Sequence, residues 1–495
     1  MRRFFKSTTA IFVATLFLFV LMKEDFTLTR ATALTTPFDS FISHTHKTSV
    51  PAGYTAIRTK ADLETIRKNL TGLYILMNNI DLGCSATKQW VPIGQPYSDK
   101  NFSGIFDGNG YEISRIYYDS SVIDCVGFFG YVMGNWNGTT GIIKNLTVSG
   151  YVKGKSYVGG IAGQVGHGDI GTVLNCHNKC TVIGKDRVGG ITGYVGNLKS
   201  KISGCLNTGN ITATGNSYTN GMHSFVGGIV GDDDGFILSC MNAGTIVSKG
   251  CYTGGIVGQI ESSNNVPPSV ISCTNVGAVN STVDAGGVAG FCHWEVLIKS
   301  CKNKGAVSAP IAGGISCTYY RDSHVNTIGG IISCSNTGYI SGKCSAGICA
   351  SSDGKITQCL NTGAVKSTDR NCGGIIGSNS GTVENCYNTG KITGVNNVGG
   401  IAGHFDADIG VIKNCYTTGM IVGANASTAA VCGHLYTLNS SKPKNCYYLN
   451  TCGKSDKYAK SLTSVQMKKQ SSYIGFDFTK IWKMGTGTYL YPVFR

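Results

Sequence analysis

The chain has 495 residues, with 69 glycines, 21 cysteines, 14% charged residues and a formal net charge of +15. Glycine at about twice its usual share, with Val and Ile prominent, excludes a helical bundle, and 42% apolar residues with few charges exclude a disordered chain. What remains is an all-β protein.

In chain order, the first 33 residues carry a basic start (Arg2, Arg3, Lys6), an apolar run from Ala10 to Met22 and an Ala31-Thr32-Ala33 triplet. That is the layout of a secretory signal peptide, and the run is short for a membrane span. An uncleaved anchor is the alternative. Cleavage predicts a secreted protein with no stable membrane span. Residues 34–60 read as a linker, with His44 and His46 the nearest approach to a metal-binding pair. In residues 61–120, Leu63, Ile66 and Leu70 recur at helical spacing before extended runs at Tyr74-Ile75-Leu76 and Ile80-Asp81-Leu82. This stretch is the expected N-terminal cap and entry coil.

Residues 121–450 are repetitive. A GGI or GGV triplet appears at Gly159, Gly189, Gly227, Gly254, Gly286, Gly313, Gly373 and Gly399, with weaker copies at Ala346 and Ala429, spaced 26 to 38 residues apart. Gly329-Gly330-Ile331 is out of phase with them. Between the copies lies a second motif, [IV]xxCxNxGx[IV], as in Ile202, Cys205, Asn207, Gly209 and Ile211. Steps of two place Cys, Asn, Gly and Ile on one face of an extended chain, and the step of three before Cys marks a corner. Short strands at this period, with no helical stretch between them, predict a right-handed parallel β-helix, a β-solenoid of about eleven coils. At about 4.8 Å per coil the rod is on the order of 50 Å long.

Asn207, Asn242, Asn275, Asn303, Asn336, Asn361 and Asn388 share one coil position and read as a hydrogen-bonded ladder, with a polar binding stripe as the alternative. Ten cysteines share another: Cys176, Cys205, Cys240, Cys273, Cys301, Cys334, Cys359, Cys386, Cys415 and Cys446. Their long spacings do not fit zinc knuckles, and parallel side chains do not converge for disulfides, so a buried thiol ladder is expected.

The GGIAG and NCYNTGKITG units resemble the GLUG-motif repeats of bacterial extracellular proteins. Trp90 to Gly94 and Phe102 to Ser114 look like the entry segment of such arrays, and Phe476-Asp477-Phe478, Trp482 and Tyr491-Pro492-Val493 like their closing segment. The resemblance implies a β-helix on a bacterial surface, often in adhesin-like proteins. Some members are attached to immunoglobulin A1 metallopeptidases.

The zinc chemistry of such a peptidase needs an HExxH run, and this chain has none. Asp169, Asp232, Asp233, Asp234, Asp353, Asp406 and Asp408 fall after the GGI strands, on one edge but in coils read as non-adjacent, hence too far apart for paired acid–base work. They are expected to be solvated loop acids. Asp232, Asp233 and Asp234 are the candidates for a calcium site. His167, His293, His404 and His434 read as equally scattered.

Residues 451–495 form the expected basic C-terminal cap. Ten basic and two acidic residues from Ser441 onward hold +8 of the +12 left after the signal. Lys454, Lys457, Lys460, Lys468 and Lys469 are binding candidates for an anionic cell-wall polymer; the plainer role is to keep the rod end soluble. The sequence thus predicts a non-catalytic binding or adhesion module, secreted or surface-associated. Its partner is a cell-wall polymer, host glycan or surface protein, with no cofactor and no nucleic acid. A polysaccharide lyase or glycoside hydrolase on the same fold is the alternative.

Overall fold

A computed structural model describes residues 45–95, 100–134, 140–215, 224–250, 252–261, 267–320, 329–436 and 442–495 of the compact unit Phe41–Arg495. The signal region and His44 lie outside the described residues.

A single coil shows how the repeat folds. Ser156–Gly159 is extended, the chain turns through Gly160 and Ile161, and Ala162–His167 is extended again. Gly171–Leu174 follows, then His177–Asn178 and Thr181–Gly184, and Asp186–Gly189 starts the next coil in parallel register with Ser156–Gly159. Repetition turns these positions into a first sheet of 10 strands, a second of 11, a third of 13 and a fourth made of short paired rows. The all-β parallel solenoid of about eleven coils is therefore the architecture that the repeat predicts.

Two local rules make the coil. The residue before each repeat cysteine is left-handed: Asn175 (φ 50°), Gly204 (63°), Ser239 (51°), Ser272 (57°), Ser300 (56°), Ser333 (54°), Gln358 (53°), Asn385 (52°), Asn414 (53°) and Asn445 (52°). This is the corner marked by the step of three, and small or amide side chains dominate there because they tolerate that conformation. The second rule joins the two motifs. A Cβ on Gly160 would stand 2.0 Å from Asn178 Oδ1, and one on Gly190 would stand 2.4 Å from Asn207 Cγ. From Gly160 to Gly374 the second glycine of the triplet is therefore the space into which the ladder asparagine packs, and at Gly400 Thr417 takes that place.

Ile161, Ile191, Ile229, Ile256, Val288, Ile315, Ile348, Ile375 and Ile401 are fully buried at the turn between the first and second sheets. The ladder starts one coil earlier than expected. Asn178 Nδ2 donates to Asn207 Oδ1 at 2.8 Å, and the chain of amides continues to Asn388, which donates to Thr417 Oγ1 at 3.2 Å. The ten repeat cysteines are buried, and each described cysteine is a free thiol. The out-of-phase Gly329-Gly330-Ile331 belongs to the third sheet, where Gly330–Ile332 pairs with Leu297–Lys299. It supplies the Ile of an IxxC corner with Cys334.

Both ends differ from expectation. The presumed linker up to residue 60 contributes Thr55–Ile57, which pairs with Leu73–Leu76, because Ile57 can be buried there. His46 stacks on Tyr111 at 4.1 Å and its Nδ1 lies 2.7 Å from Asn109 O. The N-terminal helix is short, Lys60–Thr65, with a Thr59/Asp62 capping box. Trp90, Phe102, Phe106, Phe128 and Phe129 then plug the entry coil.

At the other end the basic segment divides. The Asp456 carboxylate accepts the Val431 and Cys432 N–H groups at 2.9 Å each and closes the last coil. Beyond Lys460–Leu462 the chain does not cap the end. It lies on the flank, where Trp482, Tyr473 and Phe476 bury the outward rings of Tyr387, Tyr416 and Tyr447.

Candidate functional site

Outward side chains of the first and second sheets meet. In the first sheet, parallel register aligns Tyr157, Arg187, Phe225, Tyr252, Asp284 and Ile311 in one file. In the second it aligns Gln164, Tyr194, Asp232, Gln259, Phe291 and Thr318. Two residues further on stand Asp234, just past the end of its strand, and Glu261, His293 and Tyr320. Alternation sends all of these away from the core.

Contacts across the angle between the sheets define a groove. Arg187 donates to Asp232 Oδ2 at 2.9 Å and to Asp186 Oδ2 at 2.6 Å. Its guanidinium also covers the rings of Tyr157 and Phe225 at 5.2 and 5.1 Å. The Tyr194 hydroxyl donates to Asp234 Oδ2 at 2.9 Å. Phe225 stacks parallel to Tyr252 at 6.0 Å, and Tyr252 stacks on Phe291 at 4.4 Å. Phe291 in turn meets Tyr320 at 5.9 Å and His293 at 5.6 Å, and His293 stacks on Trp294 at 4.3 Å. Trp294 and Tyr320 are 37% and 45% exposed, whereas Phe225 is buried, so only the far end of this run of rings faces solvent. Tyr157, Arg187 and Trp294 hold left-handed backbone (φ 56°, 47° and 63°), a strained conformation for bulky side chains that the stacked coils enforce.

The electrostatics are unusual. Burial drives the Asp232 carboxyl up, Arg187 opposes it and Asp234 adds to it, leaving Asp232 at about 7. Burial alone holds Asp284 at about 6. Asp234 is also raised by burial, against the Tyr194 hydrogen bond. Beside Asp234 lies an open depression lined by Gly168, Asp169, Gly196, Asn197 and Lys199.

These positions correct two expectations. Asp232 and Asp233 are buried strand residues and not solvated loop acids, Asp234 is half-buried in the bend that follows, and the three do not converge on one point. Alternation points Asp232 and Asp234 into the groove and turns Asp233 into the rod, where it is fully buried with one oxygen 3.2 Å from Gly235 N. Among the described residues no three His, Cys, Asp or Glu side chains are placed to hold a metal ion. The edge residues are also not all in separated coils. His404 and His434 are register partners with Nδ1 atoms 3.0 Å apart, and burial first, then His434, lowers the His404 pKa. His293 Nδ1 lies 3.4 Å from Glu261 Oε1.

The candidate lysines lie elsewhere. Lys457 and Lys460 are exposed and Lys454 half-exposed on the closing segment, while Lys468 and Lys469 are exposed just after the short helix Ser464–Met467. The sequence expectations place carboxylates and histidines on this edge but contain no run of aromatic side chains. Its signal is the motif itself: Tyr157, Arg187, Phe225, Tyr252 and Asp284 each stand two residues before a GG pair.

The molecule is thus a cysteine-rich parallel β-solenoid with an aromatic and acidic groove along one angle. No family model matches the chain, and no curated protein does. Among solved structures, it is similar to an IgA1 protease, at 14% identity and a TM-score of 0.38, over 58% of this chain and 21% of that one. It is also similar to a candidate immunoglobulin A1 protease from Bacteroides ovatus, at 16% identity and a TM-score of 0.35, over 89% of this chain and 91% of that one. The chain spans about a fifth of the length of the first.

Proposed function

We propose that this chain is a secreted or surface-associated, non-catalytic binding module of the GLUG-repeat type, and that its groove holds a glycan chain lying along the rod. The observation that carries the reading is the run of rings Phe225, Tyr252, Phe291 and Tyr320, which crosses from the first sheet to the second with hydrogen-bonding groups beside it. The exposed apolar surfaces of Tyr320 and Trp294 suit the C–H faces of sugars, and Gln259, Asp234 and Glu261 suit their hydroxyls. From Tyr157 to Ile311 the groove crosses six coils, about 24 Å. The nearest outward carboxylates are already engaged, Asp232 by Arg187 and Asp234 by Tyr194, which favours binding over hydrolysis.

A glycan array with the mature full chain tests this. Retention of oligosaccharides is expected, and Tyr252→Ala with Phe291→Ala should weaken it about tenfold while the circular dichroism stays the same. No retention of any glycan, or retention indifferent to both rings, would overturn the reading. The enzyme alternative draws on Asp232, held near neutrality beside Asp234. Shortened oligosaccharides that vanish with Asp232→Asn would establish it instead.

A further inference from the structure

We propose that the C-terminal end of the second sheet is a docking edge for an acidic, extended segment of a partner protein, which adds to the rod as one more parallel strand. The groove plays no part in it. The other three sheets are closed at this end by the chain itself. Lys444 closes the third, donating to Ile412 O at 2.9 Å and accepting from Asn414 N at 3.0 Å. Lys460–Leu462 lies in parallel register on Tyr447–Leu449 and closes the fourth. At the first sheet Ser455 O accepts from Ala430 N at 3.1 Å, and the Asp456 carboxylate takes the N–H groups of Val431 and Cys432. In the second sheet, among the described residues, no strand follows Cys432–Tyr436.

This edge carries defined groups. Tyr436 O accepts from Ala407 N of the preceding coil, so alternation turns the N–H and C=O of Leu435 to the open side. The Leu435 side chain packs on the core above Phe405, its register partner, yet stays only partly buried. An unpaired edge beside a half-covered apolar side chain is what strand addition satisfies, with main-chain hydrogen bonds for affinity and side-chain contacts for choice. The edge also continues the surface that the closing segment already covers, where Lys460–Leu462 shows a strand accepted in parallel register.

Charge selects the occupant. Lys454 and Lys457 flank the Ser455-Asp456 clamp at the start of the edge, and Lys442 and Lys457 stand over the Tyr458 ring at 5.9 and 4.8 Å. Asp456, the acid among them, already accepts the N–H groups of Val431, Cys432 and Tyr458. His434 is exposed midway along the edge, and the acid at the far end is Asp406, the register partner of Tyr436. A parallel strand entering here brings its N-terminal half against the lysines, so acidic residues belong there, followed by an apolar residue over Leu435. A second copy of the chain fits poorly. Its own Cys432–Tyr436 would set these lysines against their like, and its second sheet begins at Phe129–Val132, already bridged by Ile93 and Phe102.

The probe is the peptide Asp-Asp-Gly-Glu-Val-Thr-Ser, whose Val falls over Leu435 when its Glu is aligned with His434. Fluorescence anisotropy with the full chain compares it with Lys-Lys-Gly-Lys-Val-Thr-Ser and with the acidic peptide N-methylated on its Glu and Thr amides. Hydrogen exchange read by mass spectrometry follows residues 432–436. The acidic peptide should bind about tenfold or more tightly than the lysine peptide and should slow exchange in that segment. N-methylation should abolish both effects, since it keeps the charge and removes two main-chain donors. Lys454→Glu with Lys457→Glu should cost the acidic peptide about tenfold while the circular dichroism stays the same. Binding of neither peptide, equal binding of both, or indifference to the two lysine changes overturns the proposal. Acidic binding that survives N-methylation, or that leaves residues 432–436 unprotected, overturns it in favour of general attraction to anions. Protection of the same segment that grows with protein concentration in the absence of peptide overturns it in favour of a second copy.

Discussion

Inside so narrow a rod a buried amide is tolerated only because each of its polar groups is met. Asn303 shows the arrangement: its Nδ2 donates to Gly305 O at 2.9 Å and to Asn336 Oδ1 at 2.8 Å, while its Oδ1 accepts from Asn275 at 2.9 Å. Asn303→Ala strands an acceptor on Asn336 and a donor on Asn275, at about 1–3 kcal/mol for each unmet group. Asn303→Asp is expected to be worse, because it keeps the shape but turns two donors into an acceptor facing two other acceptors. Urea midpoints of the far-ultraviolet signal should fall in the order wild type, Asn303→Ala, Asn303→Asp at neutral pH. A variant with Asp as stable as the wild type would show that the ladder is filler. This file was legible in the sequence because period-two alternation fixes the face of each residue. The groove was not, since it is made by residues on two different sheets whose side chains meet only after the GGI turn.

At the level of elements, the C-terminal segment was recognisable as non-repetitive and basic, yet its position was not. The decisive signal is the tyrosine after the cysteine in Asn385-Cys386-Tyr387, Asn414-Cys415-Tyr416 and Asn445-Cys446-Tyr447. With cysteine inward the tyrosine must point out, and three stacked outward rings need a cover. Tyr387 and Tyr416 stack at 5.0 Å, and Trp482, wholly buried, meets them at 5.9 and 6.0 Å with its Nε1 donating to Asn385 Oδ1 at 3.4 Å. Truncating that indole removes the centre of the flank cluster, so Trp482→Ala should destabilise the terminal coils by about 3–5 kcal/mol. Hydrogen exchange should show protection lost from about residue 380 onward and kept around Cys205 and Cys240. Loss spread evenly along the rod would mean that the flank segment stabilises the whole solenoid and not its last coils.

For the whole molecule, stacking makes stability a sum of coils and their interfaces, so opening starts where only one interface holds a coil. The ends are unequal. Five buried aromatic side chains plug the entry coil, whereas the last strand of the second sheet, Cys432–Tyr436, is held at its start by the two hydrogen bonds to Asp456. Cysteines placed along the length report on this directly, because burial raises the thiols of Cys240, Cys273, Cys301 and Cys334 well above their ordinary value and leaves them unreactive until their coil opens. Timed alkylation of the native protein, read by mass spectrometry, should modify Cys432 and Cys452 first among the buried thiols. Cys415 and Cys446, under the flank segment, should follow, and Cys205 and Cys240 should come last. Asp456→Ala should speed Cys432 and Cys452 about tenfold or more, since two buried N–H groups lose their acceptor, and should leave Cys205 unchanged. Equal rates at all positions would mean that the rod opens as one cooperative unit, and Cys205 reacting ahead of Cys432 would place the weak end at the aromatic plug.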